Sequence, residues 1–162
     1  MYINKYAGTS AVHLMKLQTF QHIIYKKGGN KMIRWNNNFS VGHQGIDEQH
    51  KKLIDIIEEV AFIISKKDVG LTNLLDVLNE LDDYVKEHFG YEEGLMKKYS
   101  YPEAEAHIRQ HDELRNKLEE LNIFDINKPE EFFNDLLVYL VDWLSHHIMN
   151  TDKKLGEYIS AL

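Results

Sequence analysis

No cysteine occurs in the 162 residues, which excludes disulfides, thiolate zinc sites and iron–sulfur clusters. That usage fits a reducing cytoplasm. Proline is nearly as scarce, with Pro102 and Pro129 the only two, and its scarcity favours long helices. No apolar run is long enough to span a bilayer. Formal net charge is -7 at pH 7, so the body repels nucleic acid and anionic membrane surfaces. What remains is ordinary for a globular chain: 43% hydrophobic residues and enough length for one domain with its own core.

One absence is local. From Met1 to Lys31 there is no Asp or Glu, whereas the rest of the chain is acidic. The stretch "HLMKLQTFQHIIYKK" mixes charge into every apolar patch and lacks the apolar run of a secretory signal. A basic amphipathic docking segment and a transit-like extension both fit this composition. A third reading comes from "KKGGNKM" (Lys26 to Met32), which reverse-translates readily to AAA AAA GGA GGU AAU AAA AUG. That is a bacterial ribosome-binding sequence, a spacer and a start codon. Residues 1–31 are therefore expected to be an N-terminal extension, translated leader rather than native sequence, with the domain proper over 32–162. Codons for Lys27 to Gly29 lacking a GGAGG-like run would exclude the leader.

From Ile46 onward apolar residues recur at three and four, the helical period. The stripes are Ile46, His50, Leu53, Ile57, Val60, Ile64; Leu74, Leu78, Leu81, Val85, His88, Glu92, Leu95; Ala104, His107, His111, Leu114, Leu118, Leu121; and Phe133, Leu136, Leu140, Trp143, His147. Thr72 can cap the second helix, Ser100 with Glu103 spells a capping box, and the prolines fall near helix starts. Four amphipathic helices with short links predict an all-α, antiparallel up-down-up-down four-helix bundle.

Histidine interrupts every stripe. A single inward histidine is most often a hydrogen-bonded core residue. Five of them from four helices, with Glu92 among them, are harder to satisfy. A buried carboxylate costs several kcal/mol unless paired or metal-bound, and no basic residue lies on these stripes. A shared metal site satisfies all of them at once. His107 and His111 lie four apart on one helical face, roughly 5–6 Å from each other, and His88 and Glu92 repeat that spacing. His147 and Asp152 are five apart, about 140° round an ideal α-helix. The fourth helix must therefore widen by a π-bulge, or end near Asp152, for both to reach inward.

These residues resemble the hemerythrin family, in its bacterial single-domain form. The resemblance rests on "WNNNFSVG" (Trp35 to Gly42), "IDEQHKKL" (Ile46 to Leu53), "HFGYEEGLM" (His88 to Met96), "HIRQH" (His107 to His111) and "WLSHHIMNTDKKLG" (Trp143 to Gly156), which together span nearly all of 32–162. The resemblance implies a non-haem di-iron centre with ligands His50, His88, Glu92, His107, His111, His147 and Asp152. His107, His111 and His147 would hold one iron and His50 and His88 the other. Glu92, Asp152 and an oxide or hydroxide would bridge them. Coordination arithmetic then leaves one of roughly twelve octahedral positions open, on the iron of His50 and His88.

That vacancy beside a second reducing metal implies reversible dioxygen binding by a cytoplasmic carrier, store or local delivery protein, and no enzyme. The absence of any Glu-x-x-His pair speaks against carboxylate-rich di-iron oxygenase chemistry. The competing readings are dioxygen or redox sensing through a separate partner protein, and peroxide or nitric oxide removal at the same centre. Phe89 and Trp143 are expected near the open position, and Trp35 and Phe39 in an N-terminal arm over one end of the bundle. His43, His146 and Glu93 lie off the stripes and are expected to face solvent. His13 and His22 fall in the extension.

Overall fold

The computed structural model describes residues 35–121 and 126–162. A short 3-10 turn, Asn37–Phe39, leads into α1, Gln44–Lys66. Then follow α2, Leu71–Tyr99, and α3, Ala104–Glu119. The fourth rod is composite: α4, Pro129–Trp143, runs without a break into a π-helical segment, Leu144–Asp152, and on into α5, Lys153–Ser160. The fold is all-α, and its helices form a bundle in which α1 packs on α2 and α4, and α2 on α3. The inward histidines reveal alternating direction. They sit in the first half of α1, the second half of α2, the first half of α3 and the second half of the fourth rod. Among the described residues no helix is long and apolar enough to cross a membrane.

The stripes turn inward as the period requires. Ile46, Leu53, Ile57 and Val60 on α1, Leu74, Leu81 and Val85 on α2, Leu114 on α3 and Phe133, Leu136 and Leu140 on α4 are all buried. Burying one such side chain contributes about 1.5–3 kcal/mol. On α2 Val77 is buried and Leu78 only half so, a shift of one position within the same face.

Two expected caps are not used. Thr72 lies inside α2, which begins at Leu71 after Gly70. Ser100 does not start α3. It closes α2 in the left-handed conformation, at φ 53°, and the Tyr101 N–H donates to Met96 O at 2.9 Å. Pro102 explains the choice: without an N–H it cannot continue the helix, so the chain must turn just before it. Glu103 is left as the N-cap of α3 without a side-chain cap bond. Pro129, by contrast, occupies the first turn of α4 as expected.

The arm differs from expectation in which residue does the burying. Trp35 and Phe39 are half-buried and lie against each other, with ring centroids 6.1 Å apart. Val41 is the plug: it packs with Ile46, Leu95, Met96, Tyr101 and Leu155 in a cluster that closes this end of the bundle. Asp47 ties the arm down, accepting from Ser40 Oγ at 2.6 Å and from the Val41 N–H at 2.8 Å. Gly156 lets the arm cross α5, since a Cβ there would lie 2.0 Å from Val41 O. The leader, docking and transit readings of residues 1–31, with His13 and His22, lie outside the described residues.

Candidate metal centre

Seven polar side chains meet in the interior at one level of the bundle. His50, His88, Glu92, His107, His111, His147 and Asp152 are each at most 2% exposed. Each has its place by helical period, except the last pair. His147 and Asp152 both fall in the π-helical segment, where i→i+5 bonding carries five residues around about one turn, so positions five apart face alike. The geometric difficulty posed by their spacing is met by widening the helix.

The donor atoms form two overlapping groups. Glu92, His107, His111, His147 and Asp152 offer ligand atoms within 4.8 Å of one another, and so do His50, His88, Glu92 and Asp152. The two carboxylates belong to both. Asp152 divides its oxygens: Oδ1 lies 2.9 Å from His107 Nε2 and 3.0 Å from His147 Nε2. Its Oδ2 lies 3.1 Å from His50 Nε2 and 3.8 Å from His88 Nε2. Glu92 Oε2 approaches His111 Nε2 at 3.2 Å, His107 Nε2 at 3.3 Å and His88 Nε2 at 3.8 Å.

The side chains satisfy each other only in part, as where His50 Nε2 meets Asp152 Oδ2 at 3.1 Å. His88 Nε2, His111 Nε2, both Glu92 oxygens and Asp152 Oδ1 are buried with no hydrogen-bond partner. Leaving such groups unpaired costs about 1–3 kcal/mol each, more for charged ones. Their ionisation reflects the same frustration. Burial and then the Asp152 charge raise the Glu92 carboxyl above its usual range. Burial pushes Asp152 up as well, but His147, His107 and His50 outweigh it and hold Asp152 well below its usual value. Burial works against a charged His107, yet its pairing with Asp152 and Glu92 lifts it to about 9. Burial, followed by His147 and His107, drives His111 the other way and keeps it neutral. A cation would replace the missing partners and remove the conflict. The imidazole and carboxylate donor set suits a borderline transition ion, so the residues fit a metal site.

Every inward histidine presents Nε2 to the cluster, and three of the five outward nitrogens are held, whereas His50 Nδ1 and His107 Nδ1 are buried without a partner. Gln49 on α1 faces His88 Nδ1 of α2 at 3.1 Å. Glu93 on α2 accepts from His111 Nδ1 of α3 at 2.9 Å. Gln110 on α3 accepts from His147 Nδ1 of the π segment at 2.8 Å, and from Thr151 Oγ1 at 3.2 Å. Each of the first three helices thus supplies the partner for a histidine on the next. Such bonds fix tautomer and ring direction. None of the three was singled out by period, although each adjoins a proposed ligand in sequence. Glu93 is half-buried, not solvent-facing. His43 is half-buried against Tyr91, with centroids 6.0 Å apart. His146 is exposed as expected.

Aromatic rings wall the cluster. Phe89 stacks on His111 at 3.8 Å and 4°, and Trp143 on His147 at 4.2 Å and 23°. These closest ring contacts fall on the three-histidine group, a difference from the expected place beside His50 and His88. Tyr84 occupies that side, stacked on His88 at 5.1 Å with its hydroxyl buried and unpartnered.

Comparisons with known proteins identify the family. The hemerythrin HHE cation binding domain matches residues 41–159. A bacteriohemerythrin of Clostridium acetobutylicum is 29% identical over 135 residues, spanning 79% of this chain and 99% of its own. One from Pseudomonas aeruginosa is 30% identical over 128 residues, 79% of this chain and 80% of its own. Another, from Campylobacter jejuni, is 28% identical over 128 residues, 79% of this chain and 91% of its own. The chain belongs to the hemerythrin family.

Proposed function

We propose that residues 32–162 form a di-iron domain and that the protein binds dioxygen reversibly there, as a cytoplasmic carrier, store or delivery protein rather than an enzyme. His107, His111 and His147 serve one iron, His50 and His88 the other, and Glu92 and Asp152 serve both. The observation that carries this reading is the overlap of the two donor groups at Glu92 and Asp152. A single-ion site needs no second group, and the split of the Asp152 oxygens between the halves suits a bridge. The likeness to bacteriohemerythrins supports iron as the metal and dioxygen as the ligand. If iron is held there, it would supply the electrons for dioxygen binding, and by the ligand count the His50–His88 half would be the one left short of a ligand.

The chain's own residues arrange the rest. Gln49, Glu93 and Gln110 hold three imidazoles so that Nε2 faces inward. Phe89, Leu144, Ile148 and Leu53, all nearly inaccessible to solvent, belong to an apolar core that keeps out water and protons, which favours release of unchanged ligand over irreversible oxidation. The cysteine-free composition fits the reducing compartment.

The test is an optical spectrum of the iron-loaded protein, cycled between anaerobic and air-saturated buffer. A visible charge-transfer band that forms in air and vanishes on deoxygenation is expected. Prompt, irreversible conversion to an oxidised spectrum would contradict reversible binding and favour redox sensing or peroxide and nitric oxide removal.

A further inference from the structure

The outward nitrogens of the five inward histidines are not treated alike. Gln49 and Gln110 are neutral amides, whereas Glu93, on His111, is a carboxylate. It is the one charged Nδ1 partner of these histidines among the described residues. Glu93 is itself gripped: the Arg115 Nη2 donates to the same Oε1 at 2.8 Å, while Nη1 donates to Asp112 at 3.0 Å. Arg115 also lies over the Phe89 ring, 5.1 Å from its centroid, on the ring that stacks against His111. Glu93 and Arg115 are about three-tenths exposed, at 28% and 30%. The link His111–Glu93–Arg115 therefore runs from the buried cluster to its solvent edge.

Resting on the di-iron reading above, we infer that Glu93 is a positioning residue that sets the redox balance of the three-histidine half, and that Arg115 opposes it. A carboxylate on Nδ1 makes an imidazole a stronger donor than an amide does. His111 then favours the oxidised metal, and the two halves of the centre become electronically unequal although both share Glu92 and Asp152. Arg115 draws charge from the same oxygen, so it tempers the effect. The pair forms a tuner set apart from the His50–His88 half, where the open position is assigned. Changing it shifts electron loss without altering that position.

The sign of two substitutions separates this role from simple support. Glu93→Gln keeps an acceptor for His111 Nδ1 but removes the charge, so the midpoint potential of the iron-loaded protein should rise. Arg115→Gln leaves the Glu93 charge unshared, so the potential should fall. Each shift is expected to reach about tenfold in the oxidation equilibrium, which is 59 mV for one electron. Spectroelectrochemistry of the full-length protein reads the potentials, and iron content with thermal melting serves as the structural readout. Opposite shifts with wild-type iron content support the inference. Shifts of the same sign, or none, overturn it and leave the di-iron reading standing. Wild-type protein that holds no iron overturns the di-iron reading and takes the Glu93 inference with it.

Discussion

At the residue scale the cluster is expensive in isolation, and that expense is measurable. Tyr84 carries a hydroxyl that is buried and bonded to nothing, and burial, then Asp152 and Glu92, keep its proton on. Removing an unsatisfied hydroxyl while keeping the ring is neutral or stabilising. Tyr84→Phe should therefore melt at or above the wild-type temperature in chelator-treated protein, and a clear drop would mean the hydroxyl has a partner. Gln110 is the opposite case. It holds His147 and Thr151 together, and Gln110→Leu should weaken metal binding by about 10–100-fold, read by competition with a coloured zinc chelator. Six of the seven inward polar residues were legible because each breaks an apolar period, whereas Asp152 lies on no stripe and was named from the family resemblance. Gln49, Glu93 and Gln110 were not, because each holds a histidine on another helix, and a single-helix period carries no information about its neighbour. The available signal was adjacency: each stands next to a proposed ligand.

At the element scale, the fourth rod shows how spacing in sequence becomes structure. His147 and Asp152, five apart, cannot share a face of an α-helix, and the segment Leu144–Asp152 winds as π-helix so that they do. The need for a widening or an end near Asp152 was readable from spacing, but which of the two, and over what length, was not, since backbone hydrogen bonding over the flanking turns decides it. Caps were less legible. Ser100 and Glu103 spell a capping box, yet Pro102 forces the turn earlier and Ser100 ends α2 instead. The arm offers a test. A Cβ at Gly156 meets backbone at Val41 O, and backbone yields less readily than a side-chain tip. Gly156→Ala should cost about 1–3 kcal/mol by overpacking, seen as a lower denaturation midpoint with the metal content retained. No change in midpoint would mean the arm does not press on α5.

At the scale of the whole molecule, folding and metal binding are coupled through the same buried groups. His107, lifted to about 9 by Asp152 and Glu92 after burial is overcome, must lose its proton before Nε2 can serve as a ligand. The sign follows directly. Because its folded value lies above the unfolded one near 6.5, the protonated His107 stabilises the metal-free protein below about pH 6.5. That contribution fades as pH rises through about 9. Metal affinity should run the other way, rising with pH until about 9, because fewer protons compete. Zinc titrations across pH 6–9 test this, and an affinity flat in pH would contradict it. Bundle architecture was readable because four periods with short links admit few arrangements. The pairing of oxygens within the cluster was not, since it depends on how four separate rods dock.

The central claim is that one interior cage holds two ions through the shared carboxylates Glu92 and Asp152. An anaerobic titration of the full-length protein with ferrous iron, followed by analysis of bound metal after gel filtration, tests it most directly. Saturation at two irons per chain is expected. Saturation at one, or no retained iron, would contradict it.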